Sequence, residues 1–316
     1  MEIQRHIAQG FGKGELYDVL TGLDNQSQVL PYSGRTYYVS AYGNNTTGLS
    51  WETAFKTIAA AITASNTYIA LSNVVGGRNR IYIDSNAGAN WEEALTVYPN
   101  QCDMVGIGSK GGWPVTIHGR QNIDTAVTGC HIYNLRFYNP TTSVPVMIIP
   151  DGSHGFEIHN CIIRNGDGMA STIGIQIGSF LDFKINGCKI IGNPPCVTGI
   201  TITGVACAYG EITNNFISAT TTGIEVAANT TADYGLIIKG NVIARLDPNT
   251  VAQMTYGIRY LDTQSRIHCF MCDNFISAVT YISHASSGAA TALANSMVGN
   301  RYVSAGDHYI DGHAIS

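Results

Sequence analysis

From residue 134 onward the chain repeats itself. The pairs Asn134-Leu135, Asn160-Cys161, Gly187-Cys188, Asn215-Phe216, Asn241-Val242, Asn274-Phe275 and Asn300-Arg301 align at steps of 26, 27, 28, 26, 33 and 26 residues. A second series reads Phe156-Glu157-Ile158, Phe183-Lys184-Ile185, Gly210-Glu211-Ile212 and Leu236-Ile237-Ile238. A third reads Gly174-Ile175-Gln176-Ile177, Gly199-Ile200-Thr201-Ile202, Gly223-Ile224-Glu225-Val226 and Gly257-Ile258-Arg259-Tyr260. Each series places an apolar residue at every second position between Gly or Asn boundaries, the pattern of a half-buried strand. No unit leaves room between its strands for a helix of about ten residues or more. A unit this short cannot bury its own apolar side, so the units must stack and share one core. The fold class expected is all-β: a single-stranded, right-handed parallel β-helix of about nine coils, roughly 40 Å long at about 4.8 Å per coil.

The recurring Asn has a structural explanation. Asn tolerates the left-handed backbone of a tight bend, and stacked side-chain amides bond along a column. Asn134, Asn160, Asn215, Asn241, Asn274 and Asn300 are therefore expected to form one corner of the stack. The step of 33 is assigned to a loop protruding at Leu246–Ala252, with Asp247-Pro248-Asn249 as its turn.

Composition fits a strand-and-turn chain. Charged residues are 12% of the 316, about half the usual share, and 35 residues are glycine. The net charge of −5, with no block of Lys or Arg, argues against a nucleic-acid partner. No apolar run reaches the roughly 18 residues of a membrane span, and Met1-Glu2-Ile3-Gln4-Arg5-His6 lacks the zones of a signal peptide. Synthesis in the cytoplasm without membrane insertion is the expectation. The eight cysteines read as small core residues. Cys269-x-x-Cys272 has no second pair to complete four zinc ligands, so neither metal nor cofactor is expected. Gly106-Ile107-Gly108-Ser109-Lys110-Gly111 matches a dinucleotide fingerprint, but Gly112-Trp113-Pro114 and a strand follow where a helix would be needed; it reads as a turn.

Upstream, apolar residues at 51, 54, 55, 58, 61 and 62 have helical spacing. A helix is expected near residues 51–64, with Ser50 as its N-cap and Thr53 completing the cap. It would cover the open end of the stack. The chain then divides into an arm (1–35), a capping segment (36–80), the β-helix (81–305) and a tail (306–316), the last serving as tail or edge cap.

These opening residues carry a resemblance. Thr36-Tyr37-Tyr38-Val39-Ser40, Gly43-Asn44-Asn45, Gly48-Leu49-Ser50-Trp51 and Ala54-Phe55-Lys56-Thr57-Ile58 resemble the start of pectin-lyase-like right-handed β-helix proteins. Tyr82-Ile83, Trp91-Glu92-Glu93, Leu95-Thr96-Val97 and Val105-Gly106-Ile107-Gly108 continue it, and the likeness spans residues 36–305. The superfamily includes polysaccharide lyases, glycosidases, tailspikes and catalytically silent virion proteins. The opening is especially similar to bacteriophage β-helix proteins, which are typically trimers. The resemblance implies a fold more specifically than an activity.

An uronate lyase would need clustered Asp for Ca²⁺ and a basic Arg or Lys. Asp151, Asp167 and Asp182 are the nearest acidic grouping, with Arg164 and Lys184 close in sequence, but their spacings of 16 and 15 do not match a coil. A glycosidase needs two carboxyls about 5–9.5 Å apart. Glu157 and Glu211 lie two periods apart with Lys184 between them, which reads better as an outward ladder of compensating charge. His131, His154 and His159 show no ligand spacing on one strand.

Two function classes follow. One is a structural, adhesive virion protein: a homotrimeric capsid decoration, spike or fibre located in the virion, with surface polysaccharide as a further partner. In it residues 1–34 are an arm attached to a neighbouring virion protein, the alternative for that stretch being a cap packed on the first coil. The other is a polysaccharide-degrading enzyme, a lyase or glycoside hydrolase. Adjacent apolar residues in Val146-Met147-Ile148-Ile149, Cys161-Ile162-Ile163 and Leu236-Ile237-Ile238 force one of each pair outward, and an apolar stripe that a trimer would bury is expected.

Overall fold

The computed structural model describes residues 34–72, 77–110, 112–169, 171–204, 207–226, 234–246, 252–261, 268–284, 297–303, 308–310 and 313–314. Most of the arm (1–33) and the tip of the expected loop (247–251) lie outside the described residues. Strands of successive repeats pair in parallel and form three faces. The first face runs from Thr36–Val39 and Asn79–Ile83 through Cys102–Gly106, Cys130–Tyr133, Ser153–His159, Phe180–Asn186, Cys207–Thr213, Tyr234–Lys239 and His268–Cys272 to Met297–Val298. The second takes Trp113–His118, Leu135–Asn139, Ile162–Asn165, Lys189–Ile191, Phe216–Ile217 and Val242–Ala244. The third takes Gln121–Asn122, Met147–Ile149, Ile173–Ile177, Cys196–Ile202, Ala219–Val226 and Met254–Tyr260. Phe275–His284 is long enough to serve the second and third faces together.

The molecule is an all-β parallel solenoid with one α-helix among the described residues, and about seven turns are complete, against the nine expected. The difference lies at the ends, where Thr36–Val39, Asn79–Ile83 and Met297–Val298 belong to turns without strands on all three faces among the described residues. At the C-terminal edge His308–Ile310 pairs antiparallel with Arg301–Val303 and with His313–Ala314.

Inward positions repeat the same residue type coil after coil. Ile132, Ile158, Ile185, Ile212 and Ile238 stack on the first face; Ile163, Ile190, Ile217, Ile243 and Ile276 stack on the second. Both columns are buried, so each added coil removes the exposed apolar edge of the last. The third face comes close to the second through Gly174, Gly199, Gly223 and Gly257. A Cβ on Gly223 would stand 2.2 Å from Ile243 Cγ2 and 2.6 Å from the Gly257 carbonyl oxygen. Only glycine fits there.

The Asn corner differs from the expected one by a single residue. Register pairs Arg136 with Ile162, Ile162 with Lys189, Lys189 with Phe216, Phe216 with Val242, Val242 with Phe275 and Phe275 with Arg301. The residues just before these are Leu135, Cys161, Cys188, Asn215, Asn241, Asn274 and Asn300. Asn134 and Asn160 therefore sit one position earlier, with Gly187, Asn214, Gly240, Asp273 and Gly299, all at φ between 51° and 69°. One column supplies the left-handed bend, and the next turns its side chains into the core. There the backbone N–H of Asn241 donates to Asn274 Oδ1 (3.0 Å), while its Nδ2 donates to Asn274 Oδ1 (2.9 Å) and the Ile212 carbonyl (2.9 Å). Asn215 repeats this onto Asn241 and Ile185, and Asn274 onto Asn300 and Ile238.

The helix begins later than expected, at Ile58–Ser72 rather than near residue 51. Phe55 is drawn into backbone pairing with the edge strand: its N–H donates to the Tyr38 carbonyl and its own carbonyl accepts from Ser40, both at 2.9 Å. That extended segment precludes helix before residue 56. Ser50 and Thr53 do exchange side-chain to backbone bonds, at 3.0 and 3.3 Å, but they close a turn. The helix N-terminus is capped instead by Thr57 and by Glu93, whose carboxylate accepts from the Ile58 and Ala59 N–H groups at 2.7 and 2.9 Å.

The outward apolar residues do not make the expected stripe. Ile148 points out from the third face, Ile162 from the second and Ile237 from the first, so they never stack on one another. A different run, Phe216, Val242 and Phe275, lies in one column of the second face.

Removing the Asn241 amide strands the N–H and Nδ2 donors of Asn215 and takes the side-chain donor from the Ile212 carbonyl, at about 1–3 kcal/mol for each group left unsatisfied. Asn241→Ala should therefore lower unfolding free energy by about 3 kcal/mol or more in urea titration. Asn160→Gly, at the exposed bend, should change it by less than about 0.5 kcal/mol.

Candidate functional site

Chemistry-bearing side chains gather on the outside of two faces, near the N-terminal coils. On the first face one outward column reads Arg80, Asp103, His131, Glu157, Lys184 and Glu211, each paired in register with the next. Asp103 binds Arg78 Nε at 2.5 Å and lies 3.7 Å from Arg80. His131 stands between two carboxylates, with Nδ1 at 3.5 Å from Asp103 and Nε2 at 3.6 Å from Glu157. The second oxygen of Glu157 accepts from His159 Nε2 at 2.6 Å. Tyr133 completes the group, its hydroxyl 3.3 Å from His131 Nδ1 and its ring stacked on His159 at 4.9 Å. Burial and the Arg78 charge hold the His131 imidazole below the ordinary histidine range, against the opposing pull of Glu157 and Asp103.

In the expected Glu157–Lys184–Glu211 ladder, Lys184 Nζ sits 2.8 Å from Glu211. That hydrogen bond raises the lysine's pKa. Glu157 shares the column but turns toward the two histidines. Of the three histidines considered from sequence, His131 and His159 flank Glu157, and His154 is exposed elsewhere on its strand.

On the second face an aromatic and cationic patch spans three coils. Gly112, at φ 83°, turns a short hairpin between Ser109–Lys110 and Trp113–Pro114, and the ring that follows is 38% exposed. The Arg136 guanidinium carbon lies 4.6 Å from the Trp113 ring centre and 5.2 Å from that of Tyr138. Arg164 approaches the same rings at 5.8 and 6.0 Å. His118 stacks on Tyr138 at 5.0 Å and bonds Glu92. Arg164 is paired with Asp167, whose backbone N–H also donates to the Tyr138 hydroxyl at 3.4 Å. Arg136 has no carboxylate within ion-pairing distance among the described residues, and its buried Nε makes no hydrogen bond. Burial and the neighbouring Arg164 charge lower its pKa.

The acidic trio singled out from sequence is not brought together. Asp151 Oδ1 accepts from the Ser179 N–H at 2.6 Å between the third and first faces. Asp167 is the counter-ion of Arg164 on the second face. Asp182 is exposed on the first face at φ 62°. The sequence pattern points to neither the His131 group nor the Arg136 patch. His131 lies 26 residues before Glu157, so the period held that signal, but Asp103 and Arg80 follow steps of 28 and 23 that hide the column. Among the described residues no three His, Cys, Asp or Glu side chains converge as a metal site.

No family model matches the chain, and no curated protein does. Solved structures do. Pectin methylesterase from Aspergillus niger superposes with a TM-score of 0.50 and 13% identity over 86% of each chain. XylC in complex with xylose gives 0.40 at 11% identity, covering 66% of this chain and 36% of that one. The chain thus spans about a third of XylC's length. The periplasmic alginate epimerase AlgG gives 0.34 at 11% identity, over 86% of this chain and 60% of that one. At 13% identity the likeness to the esterase is one of fold alone, a parallel β-helix.

His131 gives the site a pH signature. Its folded pKa lies below the unfolded value of 6.5, so protonation favours the unfolded chain. The stability it contributes is present above about pH 6.5 and is lost as pH falls through the lower folded pKa. The urea midpoint should drop between pH 7 and pH 5 more steeply in the native chain than in His131→Gln. Parallel slopes would remove His131 from the account.

Proposed function

We propose that this protein is an adhesive structural solenoid that holds a polysaccharide against the outside of its second face. The observation that carries the reading is the Trp113–Arg136–Tyr138–Arg164 patch. An exposed indole on a fixed hairpin offers the flat apolar surface that a sugar ring packs on, and charged donors beside it supply directional bonds to hydroxyl and acid groups. The rigid coil stack beneath holds these groups in place without cofactor or conformational change. The setting we propose with it is a bacteriophage virion, with a homotrimer attached through residues 1–34. That part is supported by the opening residues' similarity to phage β-helix proteins.

A polysaccharide-degrading activity is the second reading, favoured by one observation: His131, held uncharged between Asp103 and Glu157 with Tyr133 beside it, is suited to moving a proton.

Titration of the purified chain against a panel of polysaccharides separates these readings. The adhesive reading expects binding without new reducing ends, weakened about tenfold or more by Trp113→Ala. Reducing ends released by the native chain and not by His131→Gln would transfer the function to the first face. Light scattering should give three times the 33.8 kDa of one chain; a monomer would end the trimer proposal.

A further inference from the structure

We infer that the second-face patch reads the charge of its ligand: it is a site for an anionic glycan, a sugar bearing carboxylate or sulfate, with Arg136 as the residue that pairs the anion. This rests on the patch being the glycan-contact surface.

The patch carries unbalanced positive charge. Arg136 and Arg164 share the rings of Trp113 and Tyr138, so two guanidinium groups are held side by side on a partly dry surface. Like charges so placed repel, and burial together with the Arg164 charge lowers the Arg136 pKa. A surface built for stability alone would place a carboxylate between them. Here Asp167 serves Arg164, and its side chain is 63% exposed while that of Arg164 is 18% exposed. Arg136 is left with aromatic faces and an unbonded, buried Nε. Lys189, exposed on the same face and paired in register with Ile162 beside Arg136, adds a further cation. All this occurs in a chain whose net charge is −5, so the positive patch is a local exception.

The geometry also selects the ligand class. Guanidinium is planar and offers paired N–H donors that match the two oxygens of a carboxylate or sulfate. The flanking rings hold that plane in place, so few rotamers are lost when the anion arrives. A free anion would use the guanidinium alone. A sugar acid uses the Trp113 ring as well, which is why the inference is an anionic glycan.

The test compares three oligosaccharide probes by calorimetry: an oligouronate, the same oligomer with its carboxyls reduced to alcohols, and a sulfated neutral-backbone oligomer. The native chain should bind the oligouronate at least about tenfold more tightly than its reduced form, and the advantage should shrink as salt rises. Arg136→Gln should abolish the difference, bringing affinity for the oligouronate down to that of the same variant for the reduced oligomer. Asp167→Asn, which removes the competing carboxylate, should strengthen anion binding, and so provides a reading even if Arg136→Gln does not fold. The sulfated probe decides which acid group is preferred. Equal affinity for the oligouronate and its reduced form would overturn the charge-reading inference while leaving glycan adhesion standing. Binding of none of the three would overturn both.

Discussion

Every coil is bound by one constraint: its backbone must present hydrogen-bonding groups in register with the coil before it and the coil after it. A parallel stack has no local partner to fall back on, so a coil's N–H and C=O groups are satisfied only by its neighbours. The side chains follow. Isoleucine recurs on isoleucine on the inner faces, and glycine recurs where two faces approach within the reach of a Cβ. At the bend the rule is strictest. A residue at positive φ turns the chain, and the next residue, facing inward, must satisfy the carbonyls and N–H groups that the turn leaves in the core. From Asn215 to Asn300 an amide does this, each one bonded to the next. In the coils before it, Leu135, Cys161 and Cys188 fill the same column. Cys188 accepts the transition, its N–H donating to Asn215 Oδ1 at 2.8 Å.

The period made the fold class, the strand series and the core legible from sequence. It did less well on register. Asn is suited both to the left-handed bend and to the inward ladder, and the chain uses it for both, so Asn134 and Asn160 aligned with Asn215 when they belong with Asn214. The single step of 28 among steps of 26 and 27 was the trace of that slip. The helix starts later than the apolar spacing indicates for another reason. Residues 51–57 have helical spacing, yet Phe55 gains two backbone bonds along the edge strand that no pattern of apolar residues reports. The coil count was too high because strands at the two ends belong to incomplete turns.

Less of the candidate site was legible. Inward columns are constrained by neighbours and so repeat; outward columns face water and need not. The Arg80–Asp103–His131–Glu157 column joins four coils of unequal length, and the Trp113 patch depends on a hairpin inserted between two faces. Both groups occupy surfaces that the stack leaves free to vary, and both lie among the earlier coils, where repeat length is least regular.

The coils stand or fall together through their shared register and amide ladder. Native-state hydrogen exchange reads that coupling residue by residue. The backbone N–H groups of Asn215, Asn241 and Asn274 donate to the next amide in the column, so they should exchange only through the slowest, global opening, at nearly equal rates. Exchange at widely different rates, or through small local openings that urea leaves unchanged, would contradict that coupling.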